Sequence, residues 1–169
     1  MLKPETDQEV LILGNKPWMT KTTIKFLESI ITKESKVLET GAGGSTIWFA
    51  ERVRKVVSFE HKKKWFNLVK ERLIEKKLLD KVQLYYSPQY PNKGIPKLTE
   101  QYDLILIDGR GRVKSIETTY HYLKPGGYLV LDDSERMRYD SAIKLLNQLG
   151  WEKIMLRDTE IATAWRRPK

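Results

Sequence analysis

Val37-Leu38-Glu39-Thr40-Gly41-Ala42-Gly43-Gly44-Ser45-Thr46-Ile47 is the stretch whose reading decides the fold. Val37 and Leu38 suit the end of a buried strand. Gly41, Gly43 and Gly44 suit a turn in which backbone bends tightly and comes close to a ligand. Ser45 or Thr46 is placed to cap a helix continued by Ile47-Trp48-Phe49-Ala50. Strand, glycine turn and helix in that order present bare N–H groups beyond the strand's carboxyl end, where open α/β sheets bind ligands. The dinucleotide fingerprint wants a glycine at its sixth position, which here is Thr46. Glu39, ahead of the first glycine, would meet a cationic group better than a pyrophosphate. A plain β-turn-α corner with no ligand is the bland reading of the same residues.

Downstream, Lys55–Glu60 reads as a second strand ending on an acid, at a distance from Gly41 that suits a carboxylate accepting both hydroxyls of a ribose. His61 either reaches a nucleobase or lies exposed at the next helix start. Trp65, Phe66, Val69 and Leu73 share one face of that helix and read as core. Val82–Tyr86 is a third strand, with Ser87 at its tip beside the expected base. A loop from Ser87 to Gln101, punctuated by Pro88, Pro91, Gly94 and Pro96, follows.

Tyr102–Asp108 is an almost continuous apolar run, the pattern of a central parallel strand covered on both faces. It ends in Asp108-Gly109-Arg110-Gly111-Arg112. A helix to about Leu123, a Pro125-Gly126-Gly127 turn and a fifth strand, Tyr128–Leu131, lead to Asp132-Asp133. Ala142, Ile143, Leu145, Leu146 and Leu149 mark another helix. Glu152–Arg157 and Ile161–Arg166 are joined by Asp158-Thr159-Glu160, too short for a crossover, so they form an antiparallel hairpin. On the amino side, Met19-Thr20 enters a helix carrying Ile24, Leu27, Ile30 and Ile31, with Thr20 or Thr22 as its cap. Residues 1–18 read as an arm, in which Val10–Leu13 suits either a short helix or a strand, and 19–169 as one domain.

Composition narrows the class. A chain of 169 residues, 40% hydrophobic and 31% charged, has the profile of a globular domain with a substantial core. No apolar run approaches the ~20 residues of a membrane span. Leu11-Ile12-Leu13 is too short for a signal-peptide core, so a cytoplasmic location and no membrane partner are expected. With no cysteine, disulfides, thiolate metal sites and cysteine nucleophiles are excluded. The net charge of +9 suits nucleic acid, an acidic surface, an anionic small substrate or a lysine-rich solvated face.

Acid-x-Gly-x-Gly at Glu39–Gly43 resembles motif I of the class I S-adenosylmethionine (SAM) dependent methyltransferases. The resemblance runs from about Met19 to Arg166 and takes in Glu60, Asp108, the Leu123–Gly127 turn and the terminal hairpin, in the family's order. It implies a Rossmann-like α/β fold: a seven-stranded, mostly parallel sheet with an antiparallel C-terminal hairpin and helices on both faces. It also implies a SAM site drawn from Met19, Thr20, Glu39, Gly41, Gly43, Gly44, Ser45, Glu60, His61, Ser87 and Asp108.

The motif order is nearest to the cation-dependent O-methyltransferases acting on catechols and caffeoyl-CoA. Met19-Thr20 matches their Met-Thr pair, Asp108 their acid after strand four, and Asp132-Asp133 stands where they carry Asp-Asn. That likeness implies a Mg²⁺ ion on Asp108, Asp132 and Asp133, which would acidify and align an acceptor hydroxyl. Two residues depart from the pattern. Asp133 replaces an asparagine, and Arg110 stands near the family's basic lysine, where a guanidinium cannot act as a base. Three readings of Asp132-Asp133 stay open: metal ligands, a cap for the next helix, or a general base. Arg110 either grips an anionic acceptor or bridges to Asp132 or Asp133. Asp108, Asp132 and Arg110 are the catalytic candidates, with Trp18, Met19 and Tyr139 flanking the acceptor side. The expected activity is methyl transfer to an oxygen of a small, anionic acceptor. The rivals are an RNA methyltransferase, a non-catalytic SAM-binding regulator and, disfavoured by Thr46 and by the lack of a second domain, a nicotinamide oxidoreductase.

Overall fold

The structure is a computed structural model that describes residues 14–89 and 98–169. The expected arm before Gly14, and Pro91, Gly94 and Pro96 of the long loop, lie outside the described residues. Helix α1 (Lys21–Ile30) precedes strand β1 (Lys36–Thr40), α2 (Gly44–Ala50), β2 (Lys55–Glu60), α3 (Lys63–Glu75) and β3 (Val82–Tyr86). Then come β4 (Tyr102–Ile107), α4 (Arg112–Thr119), β5 (Leu123–Leu131), α5 (Asp140–Gln148), β6 (Glu152–Arg157) and β7 (Ile161–Arg166).

The sheet order is β3-β2-β1-β4-β5-β7-β6. Six strands run one way; β7 runs against both of its neighbours, β5 and β6. The order reverses between β1 and β4, so their carboxyl ends part at a crevice, the usual ligand site of such sheets. Alternation along β4 shows why the run is apolar. Leu104 and Leu106 pack with Leu27, Ile47, Phe49, Val69 and Leu73 on one face, while Ile105 and Ile107 pack with Ile116, Leu146 and Trp165 on the other.

Three local expectations are corrected. Helix α2 starts at Gly44, with Gly43 as its N-cap residue, so Ser45 and Thr46 lie inside the helix and neither is the N-cap residue. Thr46 Oγ1 instead accepts the Gly43 N–H at 3.0 Å, and both hydroxyls donate to Glu39. The helix after Asp108 stops at Thr119, and Tyr120–Tyr122 is a 3₁₀ turn. Pro125-Gly126-Gly127 lies within β5, which already pairs Leu123 with Tyr102 across a bulge. A Cβ on Gly127 would come 2.8 Å from the Asp103 carbonyl oxygen, so that position requires glycine. Of the two capping candidates for α1, Thr20 is the cap, accepting the Thr23 N–H at 3.2 Å. Thr22 donates its hydroxyl to Asp158 at 2.9 Å and ties α1 to the β6–β7 turn.

Candidate active site

The glycine turn is held from below. Glu39 is fully buried, and its carboxylate accepts from Ser45, Thr46 and Ser58, the last at 2.7 Å. Burial raises its pKa from the ordinary 4.5 to about 7, against the opposing pull of those three hydroxyls. It therefore joins β1, β2 and α2 under the turn and does not reach the crevice wall, where a direct contact with the methionine portion was expected. Gly41 has φ +97°, and a Cβ there would lie 2.7 Å from Gly109 Cα. The β1 and β4 loops thus touch backbone to backbone. A Cβ on Gly43 would meet nothing within 4 Å, because that glycine faces open space.

That space is a crevice of about 250 Å³ lined by Gly41, Gly43, Gly44, Ser45, Glu60, His61 and Asp108 from the expected set. Ala42, Lys16, Lys62, Trp65, Gly109, Arg110 and Trp18 complete it. Met19, Thr20 and Ser87 are not on its wall. Met19 packs against the core, Thr20 caps α1, and Ser87 is buried, its N–H donating to the Glu60 carbonyl at 2.8 Å. Trp65 packs against the core, as read, and one turn before the buried Val69 it also lines the crevice. Gly109 was legible in principle, since Gly41 at a tight turn needs a partner loop with no side chain in the way.

Glu60 sits at the tip of β2. Its Oε1 accepts the Lys62 N–H at 2.6 Å, and the carboxylate also takes the Ala42 and His61 N–H groups. Burial nevertheless pushes its pKa up. The His61 Nδ1 lies 3.1 Å from that carboxylate. Burial first, then Lys62 and Arg110, lower the His61 pKa, which favours a neutral ring.

At the β4 and β5 tips three aspartates converge on one guanidinium. Arg112 donates to Asp108 Oδ1 at 2.9 Å, lies 3.2 Å from Asp133 Oδ2 and donates to the Asp132 carbonyl. The second contact of Asp133 is Arg136, at 2.7 Å. The bridging arginine is therefore Arg112 and not Arg110. The Asp108 and Asp132 carboxyls stand close enough to feel each other's charge. Burial raises both; the Asp132 charge adds to the rise at Asp108, and the Asp133 charge adds to it at Asp132, which is pushed up to about 6. Helix α5 has no side-chain cap, so capping by Asp132 or Asp133 is corrected.

The donor set does not fit a divalent cation, because Arg112 holds the centre that an ion would take. No group of three His, Asp or Glu residues among the described residues could hold one. The crevice does fit SAM: a glycine turn open at Gly43, with a buried carboxylate at one strand tip, Glu60, and a half-buried one at another, Asp108.

Comparisons with known proteins agree with this geometry. A family described as "Methyltransferase domain" matches residues 38–134, from β1 to just beyond Asp132-Asp133, and the chain belongs to that family. Its sheet and helices have the Rossmann-like methyltransferase fold. Among solved structures, an rRNA methylase from Streptococcus thermophilus superposes with TM-score 0.71 at 16% identity, over 87% of this chain and 95% of that one. The O-methyltransferase TomG from Streptomyces achromogenes, in complex with SAM, gives 0.66 at 15% identity over 100% and 93%. A methyltransferase from Geobacter sulfurreducens gives 0.67 at 17% over 98% and 93%. These likenesses carry the fold. No curated protein matches the chain. Among the described residues no helix is long and apolar enough to cross a membrane.

Proposed function

We propose that this chain transfers a methyl group to an oxygen of a small anionic acceptor. The observation that carries the reading is the Asp108-Gly109-Arg110 loop, which lines both the glycine-turn crevice and the cavity beside it. A cofactor in one and an acceptor in the other would meet over Asp108.

SAM held against the glycine turn would supply an electrophilic methyl on a sulfonium. Glu60 orients the ribose, and the turn's backbone and Trp65 exclude water from the crevice, where positioning lowers the barrier. The Asp108–Asp132 pair would take the acceptor's hydroxyl proton as its oxygen accepts the methyl, the carbon–sulfur electron pair staying with the donor's sulfur. Arg112 steadies that pair, the work a metal would otherwise do, and Arg110 grips the acceptor's anionic group.

Radiolabelled SAM incubated with a panel of phenolic and hydroxy-acid acceptors tests the reading. Asp132→Asn should cut kcat by about 10²-fold or more while the affinity for S-adenosylhomocysteine (SAH) holds. Equal loss of SAH binding would mean that Asp132 serves the fold and not the proton. Net charge supports RNA as the second acceptor class. For RNA, affinity should collapse as salt rises. Tight SAM binding with no transfer to any acceptor would favour a regulatory role.

A further inference from the structure

Beside the cofactor crevice lies a second cavity of about 660 Å³, walled by the start of α4 and the Met137–Tyr139 turn. Its lining is cationic. Arg110, Arg112, Lys114 and Arg138 face only Asp108 and Glu117. Both acids are already engaged, Asp108 by Arg112 at 2.9 Å and Glu117 by Lys114 at 3.1 Å. Arg110 and Arg138 are left with no ion-pair partner among the described residues. Arg138 is not loose: its guanidinium sits 5.1 Å over the ring of Tyr139, a buried side chain whose ring also carries Arg112 at 5.5 Å. The ring thus orients the free Arg138 guanidinium at the cavity, beside the engaged Arg112, which lowers the entropy cost of gripping an anion.

We propose that this cavity is the acceptor site and takes a small molecule carrying a phosphate group, held between Arg110 and Arg138 with its methyl-accepting hydroxyl directed toward Asp108. The inference rests on the methyltransferase reading and names its substrate class. Two unpaired guanidinium groups match a dianion, and their planar forks match phosphate oxygens. An RNA strand would instead want a track of cations with stacking rings along it. Lys63, in the lysine run on the other side of the crevice, is turned over Phe66 and Tyr86.

The test is calorimetric titration of the SAH-loaded full chain with phenyl phosphate, benzoate and phenol. Phenyl phosphate should bind, and benzoate and phenol should each bind at least about tenfold more weakly. Arg138→Gln should weaken phenyl phosphate about tenfold yet leave SAH affinity within about twofold, because Arg138 is not on the crevice wall. Arg138→Lys should restore part of the loss. Equal phenyl phosphate affinity in wild type and Arg138→Gln, or no binding to wild type, overturns the proposal. So does a short single-stranded RNA that binds more tightly and is weakened equally by Arg138→Gln and Lys62→Gln. Failure to bind SAH at all would strike the cofactor reading instead. The same titration on the unloaded chain then still reads the cavity by itself.

Discussion

Two glycines of one turn should behave oppositely when given a side chain. At Gly41 an added Cβ would lie 2.7 Å from Gly109 Cα and 2.8 Å from its nitrogen, at φ +97°. Overpacking of backbone costs about 1–3 kcal/mol, and the left-handed conformation adds about 1–2 kcal/mol. For a chain of this size, Gly41→Ala should therefore lower the melting temperature by roughly 4–20 °C. At Gly43 φ is −171°, extended backbone that any residue adopts, and an added Cβ meets nothing within 4 Å. The weaker N-cap preference of alanine and the reduced freedom of the unfolded chain are each worth about 0.5–1 kcal/mol and oppose one another. Gly43→Ala should melt within a few degrees of wild type, about 2–4 °C at most. The open space is where the cofactor must lie. Gly43→Val should then cost SAH about 1–3 kcal/mol of affinity, a loss of about 5- to 150-fold. Thermal melts of both variants without ligand, and SAH calorimetry on the Gly43 pair, check this. Wild-type SAH affinity in a well-folded Gly43→Val protein would refute the placement of the cofactor against this turn.

Arg112→Ala should destabilise the chain by about 3–5 kcal/mol, because it strands buried aspartates; millimolar Mg²⁺ should restore part of its melting temperature and leave wild type unmoved. A wild-type chain that binds Mn²⁺ by paramagnetic resonance would count against Arg112 as the resident cation. Glu39 holds its proton to about pH 7 in the folded chain but only to its ordinary 4.5 when unfolded. The folded state thus binds more protons across that window, and stability falls as pH rises through it, by about 3 kcal/mol from this group. Glu39→Gln should flatten melting curves compared between pH 5 and pH 8; an unchanged slope would assign the dependence elsewhere. Glu60→Gln should weaken SAH about tenfold if the carboxylate meets the ribose, and calorimetry giving the wild-type value would remove that contact.

Periodicity and punctuation were enough for the strands. Lys55–Glu60, Val82–Tyr86, Glu152–Arg157 and Ile161–Arg166 stand where alternation and turn residues put them, because a strand's register is set by which face is buried. The glycine turn and the acids at the β2 and β4 tips were also legible, since local conformation and strand ends are written in adjacent residues. Packing between distant segments was not. Three hydroxyls from α2 and β2 claim Glu39, Arg112 claims the aspartates, and Lys16 and Gly109 reach the crevice from separate loops. Such partnerships depend on which side chains the folded segments bring within reach of one another. A linear pattern names the charges that will meet at a sheet's edge, and only the folded chain decides which of them neutralise one another and which stay open to a ligand.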